Sequence, residues 1–113
     1  AILCRMRFVL ATLLVTLGVT SGFAAQARAL DERALVRLVR QDCGSCHGMQ
    51  LTGGLGHPLT PQALRDKPFD SLVATVIHGR PGTAMPAWKT ILSEQDAEWI
   101  VKRLIEGFPQ EQR

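Results

Sequence analysis

The sequence predicts an all-α domain of three to four short helices. Two observations predict it: apolar residues recur at helical spacing in three separate segments, and no stretch alternates as a half-buried strand would. A third sets the scale. With 113 residues, 46% apolar and 20% charged, the chain makes one domain at most, and that balance excludes both a disordered chain and a polytopic membrane protein.

Taken in chain order, the first element is a leader rather than part of the fold. Arg5 and Arg7 precede eighteen uncharged residues, Phe8 to Ala25, followed by the small-residue patterns Ala25-Gln26-Ala27 and Ala27-Arg28-Ala29. Basic start, apolar middle and A-x-A end are the marks of a secretory signal peptide over residues 1–27, which places the mature domain, 28–113, in the periplasm. Eighteen residues is also just long enough to span a bilayer, but Thr12, Thr16, Gly18, Thr20, Ser21 and Gly22 dilute the run, so cleavage is favoured over an anchor and the mature chain is not expected to be an integral membrane protein. Met6 opens a better-formed leader than Ala1 does, and residues 1–5, Cys4 among them, are compatible with an upstream mis-start. Removing Arg5 and Arg7 with the leader lowers the net charge from +3 to +1, so the alkaline character of the whole chain is no argument for nucleic-acid binding.

The first helix is expected to open at Asp31 and Glu32, acidic residues where the helix dipole favours them, and to bury Ala34, Leu35, Leu38 and Val39 before the chain reaches Cys43. Gly48 to Pro58, with Gly53, Gly54 and Gly56, has no periodicity and reads as a loop. A second helix, capped by Asp70 or Ser71, buries Leu72, Val73, Val76 and Ile77 and stops at Gly79. Ser93-Glu94-Gln95-Asp96 resembles a capping box and opens the last helix, whose apolar face is Ala97, Ile100, Val101, Leu104 and Ile105; Gly107 and Pro109 close it.

A mature chain of this size buries only about 60–65% of its unfolded surface and usually needs a staple, whether disulfide, metal or cofactor. Cys43-Gly44-Ser45-Cys46-His47 supplies it. In an exported chain, C-x-x-C-H reads as covalent attachment of a c-type haem: two thiols three residues apart share one side of a helical turn and each adds to one haem vinyl group, and the next residue aims its imidazole at the iron. A thioredoxin-like pair would need a preceding strand, which is missing; a zinc site would need His57 and His78 at irregular spacing; a disulfide across so short a loop would be strained and would leave His47 unexplained.

One haem c leaves a second axial position. Met49 lies too close to His47 to cross the porphyrin. Met85 can cross it, and it sits in Gly79-Arg80-Pro81-Gly82-Thr83-Ala84-Met85-Pro86, where two prolines fix φ and limit the ordering entropy of the loop. His78 ranks second; its place at an expected helix C-terminus explains it on dipole grounds alone. His57, between Gly56 and Pro58, reads as a solvated loop residue.

The haem motif after the first helix, the Met-Pro loop and a last helix carrying Trp99 resemble a class I cytochrome c over nearly all of the mature chain. The resemblance implies a class I cytochrome c fold, its short helices wrapped around one covalent haem. It also implies that Trp99 packs the last helix against the first and that Trp88 lies near the ligand loop. One departure stands out: where the family often has Gly-Pro-x-Leu, with the proline carbonyl accepting the proximal histidine's second N–H, this chain has Gly56-His57-Pro58-Leu59, so the acceptor is either Pro58 or the backbone of His57. The stretches Gln41 to Gly48, Leu51 to Gly56 and Leu59-Thr60-Pro61 are similar to the NirC family of small monohaem cytochromes. That similarity implies an electron donor to the haem-c/haem-d nitrite reductase of denitrification, or an accessory in that reductase's maturation or cofactor loading.

A six-coordinate iron leaves no open position for substrate, which points to single-electron transfer rather than catalysis; a centre that opens by releasing Met85 is the enzymatic alternative. Arg65, Lys67, Arg80 and Lys89 outnumber Asp66 and Asp70 between Cys43 and Thr90, which would suit an acidic redox partner if they rim the haem edge. Arg33, Arg37 and Arg40, at i, i+4 and i+7, are expected to form a basic stripe opposite the first helix's apolar face, either as plain solvated surface or as a docking strip.

Overall fold

A computed structural model of the chain describes residues 30–110. The leader expected at 1–27 lies outside them. Among the described residues there is no strand, and no helix is long and apolar enough to cross a membrane.

The chain order is α1 (Glu32–Leu38), a wider π-helical turn (Val39–Cys43), α2 (Gly44–His47), α3 (Pro61–Leu64), α4 (Phe69–His78) and α5 (Glu94–Glu106). The first three run together as one rod. Asp31 caps its start, its side chain accepting the Ala34 N–H at 2.8 Å. The π-turn is the unexpected element: Gly44 N–H reaches back five residues to Val39 O instead of four. The wider turn shifts the phase of the rod, so Val39 and Arg40, neighbours in sequence, are both buried. The expected basic stripe is thereby corrected. Arg33 and Arg37 are exposed, but Arg40 is 7% exposed and points inward.

The helix α4 starts at Phe69 behind Pro68, with no side-chain cap, rather than at Asp70 or Ser71; Pro68 holds φ at −60° and ends the preceding turn, and Asp70 falls inside the first helical turn. Its buried face is narrower than expected, with Val73 buried and Leu72, Val76 and Ile77 half-buried. Thr60 caps the short α3, with Pro61 at its first position. The capping box of α5 forms as expected: Ser93 Oγ accepts Asp96 N–H at 3.1 Å and Asp96 Oδ2 accepts Ser93 N–H at 2.9 Å. Asp96 is 3% exposed and its other oxygen takes the Leu30 N–H at 3.1 Å, which ties the entry of α1 to the start of α5.

One core cluster joins Leu35 and Val39 of the rod to Leu51, Leu64, Leu92, Ile100 and Leu104; a second, Val73, Ala97 and Val101, seats α4 on α5. Trp99 does link the last helix to the first: its Nε1–H donates to Glu32 Oε1 at 3.3 Å, and its ring meets Phe108 edge-on at 6.3 Å.

Candidate functional site

The rod delivers Cys43, Cys46 and His47 within its last turns, all three partly buried. Both thiols are free. Cys43 packs against the main core cluster, as do Leu59, Leu72, Val76 and Trp88, so the attachment segment and the segments around Met85 border the same interior. Burial, and secondly the charge of Asp42, push the Cys43 thiol up to about 11, so it stays protonated at neutral pH.

The orientation of His47 rests on one bond. Its Nδ1 lies 2.7 Å from the carbonyl oxygen of His57. A carbonyl can only accept, so Nδ1 carries the proton, and in the neutral ring Nε2 is left with its lone pair free to bind a metal. Of the two acceptors open in the sequence, the backbone of His57 makes the contact; its own imidazole is exposed. The glycine-rich loop holds that carbonyl in place: Gly53 N–H donates to His47 O and Gly56 N–H to Cys46 O, both at 2.8 Å. Gly56 is required by space, because a Cβ there would meet His47 Cε1 and Nδ1 at 2.8 Å. Sequence reasoning misses this role; the out-of-family order Gly56-His57-Pro58 is the one signal of it.

Met85 is half-buried on the loop after α4, and that loop is strung on the helix's own unfilled acceptors. Gly79 N–H donates to Thr75 O at 2.9 Å, Trp88 N–H to Val76 O at 3.1 Å and Lys89 N–H to Ile77 O at 3.2 Å. Inside it, Arg80 N–H donates to Met85 O at 3.1 Å and Met85 N–H to Thr83 Oγ1 at 3.3 Å. Gly79, at φ +66°, permits the reversal: a Cβ there would strike Met85 O and Ala87 N at 2.7 Å. Trp88 therefore does lie beside the Met85 loop. His78, the last residue of α4, is exposed, and Met49 is exposed beyond the rod.

The donor set suits a c-type haem: two free thiols in one helical turn, an imidazole with Nε2 available and its ring fixed from behind, and a thioether on a tethered loop. Among the described residues no group of three or more His, Cys, Asp or Glu is placed to hold a bare metal ion.

The family model described as cytochrome C oxidase, cbb3-type, subunit III matches residues 30–102. Cytochrome c55X of Stutzerimonas stutzeri is 57% identical over 88 residues, 78% of this chain and 78% of that one. The solved c-type cytochrome NirC is 62% identical with a TM-score of 0.67, covering 69% of this chain and 95% of NirC. The dihydro-haem d1 dehydrogenase NirN, solved in complex with DHE, is 32% identical with a TM-score of 0.59; the match covers 68% of this chain and 17% of NirN. With the helical fold, these likenesses show that the chain belongs to the cytochrome c55X family, the small c-type cytochromes of the NirC type.

Proposed function

We propose that the chain carries one haem c, fastened through thioethers to Cys43 and Cys46 and ligated by His47 Nε2 and Met85 Sδ, and that it is a periplasmic single-electron carrier whose partner is a dissimilatory nitrite reductase. The observation that carries the ligand set is the 2.7 Å bond from His47 Nδ1 to His57 O, which leaves the ring only Nε2 for a metal.

When bound, the haem supplies a one-electron iron couple. The protein's residues keep its surroundings constant while the charge changes. The carbonyl of His57 stops the imidazole from turning, and the bonds from Trp88 and Lys89 to α4 stop the Met85 loop from swinging away. With His47 and Met85 as its two protein donors, the iron would keep no position open for a substrate, which would separate a carrier from an enzyme. Thioether ligation favours the ferrous state relative to a second imidazole, so the Met85 assignment implies a higher potential than a His78 assignment.

The test is potentiometric titration of the purified holoprotein beside Met85→Ala and His78→Ala. Met85→Ala lowers the midpoint potential and opens the ferrous centre to carbon monoxide; His78→Ala changes neither. An unchanged Met85→Ala spectrum removes the ligand assignment, and a stably folded, colourless protein from an export-competent host removes the haem.

A second reading, an accessory in maturation or cofactor loading of the reductase, is favoured by one finding: the chain is also 32% identical to part of a dehydrogenase named for dihydro-haem d1. Stopped-flow mixing with purified nitrite reductase separates the two. A carrier reduces the enzyme within a turnover; an accessory does not.

A further inference from the structure

The least expected residue in the described structure is Arg40. Its guanidinium is almost fully buried, yet among the described residues no carboxylate pairs with it. Backbone carbonyls surround it instead: Nε donates to Pro109 O at 3.1 Å, Nη2 to Pro109 O at 2.9 Å and to Phe108 O at 3.0 Å, and Nη1 reaches Met49 O at 3.5 Å. Its Cζ lies 5.5 Å from the centre of the Phe108 ring. Burying a charge is costly unless its donors are satisfied, and here neutral carbonyls satisfy them, with no carboxylate bonded to the guanidinium among the described residues. The π-turn places it there, three residues before Cys43, and the Met49 carbonyl it touches is two residues after His47.

We propose that Arg40 is a potential-setting residue: a permanent buried cation, held at the back of the attachment segment, that biases the centre toward its reduced state. Reduction takes one electron from a donor protein or mediator and no proton, because a guanidinium does not titrate in the accessible range. The added negative charge is then stabilised by a fixed positive one across a medium of low dielectric, so the contribution is independent of pH and only weakly screened by salt. The same guanidinium positions the attachment segment by tying it to the chain after α5. This inference rests on the haem reading above and adds a residue outside the ligand set.

The test is mediated potentiometric titration of full-length holoprotein carrying Arg40→Gln or Arg40→Lys, with the axial-ligand spectrum and thermal stability measured on the same samples. Arg40→Gln lowers the midpoint potential, changing the ferrous-to-ferric ratio at fixed ambient potential by roughly threefold to tenfold. Arg40→Lys keeps the charge, so its potential stays closer to that of the wild type even though both variants lose stability. Gln50→Glu guards against an Arg40→Gln chain that does not fold. Gln50 is exposed and shares a small cavity with Arg40, so a carboxylate there offsets part of the positive charge and lowers the potential while the Arg40 side chain itself is kept. Equal potentials for wild type and Gln50→Glu overturn the proposal, and so do equal potentials for a folded Arg40→Gln and the wild type. A colourless product would instead count against the haem reading itself.

Discussion

Substituting Gly56 by alanine tests the support of His47 without replacing any proposed ligand. A Cβ at residue 56 would stand 2.8 Å from both Cε1 and Nδ1 of the imidazole and 3.2 Å from Cγ, so either the ring or the loop must retreat. The ring is fastened at the end of the rod, and the loop is bonded to the rod through Gly53 and Gly56, so neither moves cheaply. Overpacking of this kind costs about 1–3 kcal/mol, and weakening the 2.7 Å bond to His57 O costs about 1 kcal/mol more. Alanine returns about 0.4–1 kcal/mol by restricting the unfolded chain. The expected net loss is about 2 kcal/mol, read as a fall in Tm of roughly 10 °C for a domain of this size. The redox consequence has a definite sign. A carbonyl acceptor on Nδ1 makes the imidazole a stronger donor and favours ferric iron, so weakening that bond raises the midpoint potential. Thermal unfolding and a redox titration on one holoprotein sample read both effects. A Gly56→Ala protein with wild-type Tm and wild-type potential would refute the account of how His47 is held.

The remaining predictions concern the thiol and the helix start. In the haem-free chain the Cys43 thiol is raised from 9.0 to about 11, chiefly by burial, so the folded state keeps its proton where the unfolded state has lost it; stability falls as pH rises between those values, by about 2–3 kcal/mol in all. Denaturant unfolding of the reduced haem-free chain at pH 8 and pH 11 checks this, and Cys43→Ala should flatten the difference. Asp96→Ala strands the Leu30 and Ser93 N–H groups and costs about 3 kcal/mol, whereas Ser93→Ala removes one cap bond and costs about 1 kcal/mol. Neither should move the midpoint potential, and urea unfolding beside a redox titration distinguishes them from Gly56→Ala.

Legibility in the sequence is confined to features that depend on residues close in the chain. The capping box at Ser93 and Asp96, the apolar face of α5 and the stop at Gly79 are local chemistry, and each stands where periodicity and capping rules put it. The spacing from Cys43 to His47 carries the candidate site for the same reason. Arg40 escapes such a reading because the ordinary helical period fails through Val39–Cys43, where the turn is wider; that widening goes with packing against the chain after α5 and leaves no mark in composition. Gly56 reads from sequence only as loop, because its constraint is an approach of 2.8 Å to the His47 ring, a fact of tertiary structure. Pro68 displaces Asp70 as the start of α4 because fixed φ outweighs a side-chain cap.

A common feature runs through the site: most of the groups that position its chemistry are backbone carbonyls, the Thr83 hydroxyl on Met85 N–H being a side-chain exception. His57 O holds His47, Met49, Phe108 and Pro109 carbonyls hold Arg40, and Val76 and Ile77 carbonyls hold the segment after Met85. With few fully buried side chains among the described residues, there is little packed interior to fix a functional residue, and a carbonyl oxygen is an acceptor that every residue provides without enlarging the protein. The consequence is that specificity moves from side-chain identity to backbone path. Exchanging the imidazole of His57 for another side chain should matter less than adding one methyl group at Gly56 or Gly79, because the first leaves the path intact and the second redirects the oxygen that does the holding.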